Sequence, residues 1–307
     1  MYITDSSKRT YANHQGQFVA FCEAFEIDPF TASELELCIA VGHFAMGHTV
    51  SSVPSYLSAL QNFYNNNGAG PLPRGPRFHR FHNGLKRLLG AADAVVHTRA
   101  ISMEDLAKIR ASLDPFDPAD ASFGAQITIA FFLALRTEDH TGGRMLWGDI
   151  YPQDDGSLEF MIPPGKSVRT FRHVAIAPRN DVVSPRRWLM ALVAVAPRAA
   201  KELHRPIFVD VSTARNGVTL FLPLSRAKFI ARFKQAVSTV LGVSPILFAG
   251  YSLRRGGVTA MLAAGVPLAA VKRHVGWSPT SDAVNTYYDH TGRVVMRLPT
   301  SMLGPCV

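Results

Sequence analysis

The stretch FGAQITIAFFLALR, residues 123–136, constrains the fold more than any other part of the chain. Its apolar side chains leave no polar stripe at the helical period, so a helix built from it is apolar nearly all round. Such a helix is stable in water only when other elements cover every side, which requires a domain assembled around one central buried helix. The stretch also ends on a charge. An arginine left unpaired at the end of a buried helix is prohibitively costly, so Arg136 must find an anion. Asp139, three residues on, offers a structural salt bridge, and that reading stands beside a functional one.

The neighbouring segments supply covering elements. TASELELCIAVGHFA carries a capping box, Ser33 with Glu36, ahead of an apolar run, and SMEDLAKIRASL restarts helix with Ser102 capping toward Asp105. VPSYLSALQNFY sets Val53, Tyr56, Leu57, Leu60, Phe63 and Tyr64 on one helical face. Strands are expected at MLWGDI, LEFMIP and RTFRHVAIA, the last two joined by PGKSV. SPRRWLMALVAV and SRAKFIARFKQAVSTVLG read as helices capped by Ser184 and Ser225. The fold class is therefore mainly α with one small β-sheet. An N-terminal helical domain is expected over residues 1–90, a linker over 91–101 and a larger α+β domain over 102–307.

Charge narrows the partners. The 307 residues hold 32 Lys+Arg against 23 Asp+Glu, a formal charge of +9, which suits a polyanion: nucleic acid or an anionic membrane surface. Arg74, Arg77, Arg80, Lys86 and Arg87 fall within residues 74–87 with no acid between them. The 3 cysteines include no C-x-x-C pair, which fits free thiols in a reducing compartment. No apolar run reaches the ~18–20 residues of a membrane span, and the first residues lack the apolar core of a secretory signal. His79 and His82, like His43 and His48, have no acidic or cysteine partners that would complete a zinc set, so no metal site is expected.

The segment YSLRRGG, residues 251–257, is where chemistry concentrates. Tyr251 and Arg254 share one helical face, whereas Arg255 is turned away by about 100°. Gly256 and Gly257 are costly inside a helix unless a phosphate or a packed segment comes close.

Taken together, these stretches resemble the tyrosine recombinases, the lambda-integrase-type site-specific recombinases and integrases, with a flavour of the mobile-element branch. Arg136 falls at the position of the family's first active-site arginine, Asp139 at that of its supporting acid, and LWGDI at its L-x-W-x-D-I strand. Lys166 matches the lysine of the family's β-hairpin, Tyr251 and Arg254 its H-x-x-R box, and Trp277 its later His/Trp position. In NTYYDH the nucleophile position falls on Tyr287 in preference to Tyr288, and adjacent helical positions cannot both face one phosphate. The N-terminal segments look like the family's helical core DNA-binding domain.

The resemblance implies attack of a tyrosine hydroxyl on a DNA phosphodiester, giving a 3′-phosphotyrosine and a free 5′-hydroxyl. Arg136 and Arg254 would stabilise the charge on the phosphate, Lys166 would protonate the leaving oxygen, and Trp277 would donate its indole N–H. The scheme needs no cofactor, metal or ATP. It implies double-stranded DNA as partner, a homo-tetramer acting on two sites, no membrane, and an intracellular, DNA-associated protein. That means the nucleus in a eukaryote, or the cytoplasm or nucleoid in a bacterium. The run from Arg74 to Arg87, with Arg255 and Arg273, would contact phosphates. Tyr251 departs from the usual histidine and, with a reference pKa of ~10, cannot serve as an imidazole base. Alternative readings are a DNA-binding protein that has lost turnover, a type IB topoisomerase-like enzyme and, more remotely, an RNA-binding or structural basic protein.

Overall fold

The computed structural model describes residues 5–89, 98–165, 170–214 and 218–284. The chain divides into two compact units, Met1–Val95 and Val96–Val307.

The first unit contains α1 (Asp5–Ala24), α2 (Glu34–Gly47), α3 (Val53–Asn66) and α4 (Pro76–Leu89). α2 begins at the expected capping box: the Glu36 amide donates to Ser33 Oγ at 3.3 Å, and the Ser33 amide donates to Glu36 Oε2 at 2.6 Å. Phe18 and Phe21 of α1, Leu37, Val41 and Phe44 of α2, and Tyr56, Leu60 and Tyr64 of α3 share one core. Burying each such side chain contributes about 1.5–3 kcal/mol. The start of α4 is fastened by Glu34, whose carboxylate accepts the Phe78 amide at 2.8 Å. Phe78 is the fully buried residue of α4, and the arginines lie on its exposed side.

The second unit opens with α5 (Met103–Ala111), capped by Ser102 and Asp105 as expected, and α6 (Pro118–Phe132). α6 is buried without interruption from Ala121 to Phe131. Gly124 lets it press against α7 (Pro185–Val195), because a Cβ there would overlap the indole of the fully buried Trp188. Between them, β1 (Ile150–Pro152), β2 (Leu158–Ile162) and β3 (Arg172–Ile176) form an antiparallel sheet in the order β1-β2-β3, with Phe160 opposite Val174. Leu158, Phe160 and Ile162 of β2 and Val174 and Ile176 of β3 face the core.

Three expectations change. The buried helix does not run to Arg136: it stops at Phe132, and Ala134 takes the left-handed conformation (φ 46) while the Leu135 amide reaches back to Ala130 O at 2.9 Å. Of MLWGDI, Ile150 alone joins a strand. Trp147–Asp149 form a 3-10 turn in which Asp149 accepts the Leu146 amide at 2.8 Å. A second sheet also exists, the antiparallel pair β4 (Val209–Thr213) and β5 (Thr219–Pro223), where one sheet was expected. Then follow α8 (Arg226–Leu241), α9 (Tyr251–Ala263) and α10 (Leu268–Val275). Residues 99–101, the far end of the expected linker, are bonded into this unit: the Arg99 amide donates to Leu247 O at 2.6 Å and the Ile101 amide to Ser252 O at 3.1 Å.

Candidate active site

The site is built where the end of α6 meets α9, α10, Gly165 and the start of β3. The left-handed turn at Ala134 redirects the chain after α6, and the next turn, Thr137–Asp139, is fixed by its own acid. The Arg136 amide donates to Asp139 Oδ2 at 3.0 Å, and Thr141 Oγ1 donates to Thr137 O at 2.7 Å. Asp139 is buried, and its other oxygen lies near Gly165, where a Cβ would sit 3.4 Å from Oδ1. One carboxylate thus orders the backbone that presents Arg136 and stands beside the residue preceding Lys166.

α9 approaches α6 as closely as two backbones can. A Cβ on Gly257 would overlap the Phe131 carbonyl, one on Gly256 the Ile101 carbonyl, and one on Gly250 the Thr137 hydroxyl. Of the two explanations for these glycines, packing against a neighbouring segment is the one the structure shows. This approach carries Arg254, fully buried, onto the end of α6. Its Nη1 donates to Ala134 O at 2.6 Å and its Nη2 to Val275 O at 3.2 Å, with the guanidinium carbon 5.5 Å from the Trp277 ring centre. Trp277 follows α10 directly. Gly276 ends that helix in the left-handed conformation (φ 70), and the Trp277 amide donates back to Lys272 O at 2.8 Å. Tyr251, at the start of α9, is exposed.

A third arginine was not anticipated. Arg172 opens β3 on the same side as the core residues Val174 and Ile176, and its Nη1 donates to His274 O. Burial pushes its guanidinium down to about 10. Asp139 favours its charge, while Arg254 and Arg136 oppose it. Arg136, Arg172 and Arg254 therefore share one electrostatic neighbourhood with Asp139. His274 is adjacent: its Nε2 lies 2.8 Å from Phe132 O and so carries the proton, and burial lowers its pKa. The signal for Arg172 was present in the alternation RHVAI, which gives an arginine an inward position.

The other expected residues fall as follows. Lys166, Tyr287 and Tyr288 lie outside the described residues. Arg255 turns away from Arg254, as helical spacing requires, and donates to Thr98 O. Arg273 is exposed in the last turn of α10. In the first unit, Arg77, Arg80, Lys86 and Arg87 are exposed on α4, and Arg74, just before it, bonds Gln61 Oε1 at 3.2 Å. At about 100° per residue, Arg77, Arg80 and Arg87 share one face and Lys86 stands apart from it. No described helix is long and apolar enough to cross a membrane.

No family sequence model and no curated protein matches this chain. Solved structures do. The XerH site-specific recombinase, bound to palindromic difH in a post-cleavage complex, is similar over 96% of this chain and 78% of its own, with a TM-score of 0.65 at 17% identity. A lambda integrase dimer bound to a COC′ core site is similar over 94% and 73%, with a TM-score of 0.60 at 14% identity. The Tn1549 transposon integrase, in complex with circular intermediate DNA, is similar over 87% and 85%, with a TM-score of 0.56 at 12% identity. The chain has the fold of the tyrosine recombinases and integrases, mainly α with small β-sheets.

Proposed function

We propose that this chain is a site-specific DNA recombinase or integrase that cleaves and rejoins strands through a 3′-phosphotyrosine. The observation that carries the reading is that Arg172 lies within electrostatic reach of the buried Asp139 carboxylate and of the Arg136 and Arg254 guanidiniums, with Trp277 against Arg254. A phosphodiester is the anion this arrangement suits. Planar guanidinium forks bind its non-bridging oxygens in pairs, and burial strengthens them as charge grows in the transition state. The similar structures of XerH and lambda integrase hold DNA, which supports the same ligand here.

In this scheme the Tyr287 hydroxyl gives its proton to solvent as its oxygen bonds to phosphorus and the bond to the 5′-oxygen breaks. Lys166 gives the leaving oxygen its proton, and the freed 5′-hydroxyl of a partner strand reverses the step. The exposed face of α4 contacts DNA phosphates in the core-binding unit, residues 1–90, while residues 102–307 hold the catalytic unit. The working assembly is a tetramer on two sites, located wherever the cell keeps its DNA.

The test is to incubate the protein, in EDTA, with nicked suicide duplexes taken from the ends of its own element, and to resolve the product on a denaturing gel. Wild type is expected to form a covalent adduct, and Tyr287→Phe to lose it while Tyr288→Phe keeps it. Tight binding without any adduct would identify a DNA-binding protein that has lost turnover, with Tyr251→His as the first reversion to try. Relaxation of plasmid by monomers, without exchange between sites, would identify the topoisomerase-like reading.

A further inference from the structure

Apolar packing draws helices together but is non-directional, so by itself it leaves a short helix free to slide or rotate on its neighbours. α10 is packed in this way: Val271 and Val275 share a core with Ala134 and Val258, and Trp277 lies against the same cluster. Direction is supplied by His274, the residue beside Val275. The last carbonyls of an α-helix have no partner within it, and His274 Nε2–H donates to one of them, Phe132 O at the end of α6, at 2.8 Å. The carbonyl of His274 accepts from Arg172 of β3, and the next one, Val275 O, accepts from Arg254 of α9 at 3.2 Å. The last turn of α10 is thus bonded to α6, β3 and α9. Gly276 closes that turn, and the Trp277 amide returns to Lys272 O, so the indole moves with the turn.

We infer that His274 is a positioning residue for cleavage: its bond to Phe132 O sets the last turn of α10 against the end of α6 and so places the Trp277 indole beside Arg254. The inference rests on the recombinase reading above, in which that indole donates to the phosphate. His274 touches no reacting atom in this scheme, and its effect passes through Trp277. Without the bond the turn can shift, and a displacement of about 1 Å at a positioning group costs on the order of 10²-fold in rate, the loss expected for His274→Leu. A glutamine amide nitrogen stands about as far from the backbone as Nε2 and donates as it does. His274→Gln is therefore expected to cleave close to the wild-type rate.

The experiment is a double-mutant cycle with Trp277→Phe, read as single-turnover adduct formation on the nicked suicide duplex. If His274 acts through the indole, the loss seen in His274→Leu disappears in the Trp277→Phe background, and the double variant cleaves as Trp277→Phe alone does. A loss that persists in that background places the action of His274 elsewhere. A wild-type rate in His274→Leu means that it does not act, and a glutamine variant as slow as the leucine variant means that the bond is not the cause. Each of these overturns the inference. Should the leucine variant fold poorly, His274→Asn, whose amide is one methylene shorter than glutamine's, takes its place in the cycle. Should wild type form no adduct at all, the recombinase reading fails, and the placement of Trp277 is then decided by nuclear magnetic resonance. Its indole N–H signal, one of 3, is assigned by its absence from Trp277→Phe. Movement of that signal in His274→Leu but not in His274→Gln supports the tie. No movement in the leucine variant, or equal movement in both, refutes it.

Discussion

Substituting Gly257→Ala tests whether the close approach of α9 to α6 is what sets the Arg254 position. The added methyl would overlap the Phe131 carbonyl, part of the main chain of a helix buried on every side. Neither group can swing away, so α9 must retreat until the two are separated by the ordinary ~3.5 Å, a shift on the order of 1 Å. Overpacking of this kind costs about 1–3 kcal/mol, and alanine's better helix propensity returns about 1 kcal/mol. The net loss of about 0–2 kcal/mol corresponds to a fall in Tm of at most roughly 8 °C for a unit of this size. Cleavage should suffer more than stability, because the retreat carries Arg254 away from Ala134 O and the Arg136 turn; a loss of about 10²-fold is expected. Thermal melting followed by circular dichroism, and single-turnover adduct formation well below the lower Tm, measure the two effects. Gly16→Ala in α1, where a Cβ meets nothing within 4 Å, is the control and should be neutral or stabilising. A Gly257→Ala protein that melts with wild type and cleaves at its rate would refute the argument.

Arg254→Lys should lower the cleavage rate by about 10²–10³, since an ammonium cannot reproduce a fork that serves both Ala134 O and Val275 O; single-turnover kinetics at saturating protein isolates that term. Replacing Arg80 and Arg87 with glutamine should weaken binding evenly across DNA sequences, and should flatten the slope of log K against log salt by about 0.9 for each phosphate no longer neutralised, as read from a salt titration by fluorescence anisotropy. His140 predicts an acid limb in stability. It is buried against Phe229, its Nδ1 accepts from Gln126 at 3.0 Å, and burial drives its pKa from 6.5 to about 3. The unfolded chain binds a proton that folded His140 refuses, so stability is full above pH 6.5 and falls as pH drops toward 3. At pH 5 the loss is about 1.5 units times ~1.36, or roughly 2 kcal/mol. His140→Gln should be less stable at pH 7 yet show a shallower decline from pH 6.5 to 4 in urea titrations.

The parts legible in the sequence were those decided by local chemistry. The burial of α6 follows from its lack of any polar stripe, the start of α2 from a capping box and that of α5 from a serine cap, and β2 and β3 from their apolar strand pattern. The parts misread depend on distant residues. Nothing in Leu133–Ala134–Leu135 announces a helix end without glycine. The turn there is stabilised by Arg254, 120 residues away, whose guanidinium takes the Ala134 carbonyl. The pair β4 and β5 was missed although Asn216-Gly217, a strong hairpin dipeptide, lies between VDVST and VTLFLP. Arg136, Asp139, Arg254 and Trp277, singled out by the family resemblance, do come together. Arg172 escaped notice because an inward arginine becomes interpretable only once its acceptor, the end of α10, is known.

Several arginines that organise the second unit bond to the main chain: Arg254 to Ala134 and Val275, Arg172 to His274, Arg255 to Thr98, Arg110 to Val182, and Arg232 to Ala119 as well as to the Asp120 carboxylate. Every residue type offers the same carbonyl. The acceptor positions are thus free to drift in identity so long as the turn that aims the carbonyl persists, and a substitution at one of them leaves the arginine's bond untouched. A scaffold wired in this way can lose nearly all the letters by which relatives are recognised and still keep its geometry. This accounts for a chain whose shape finds company at 12–17% identity while its sequence finds none.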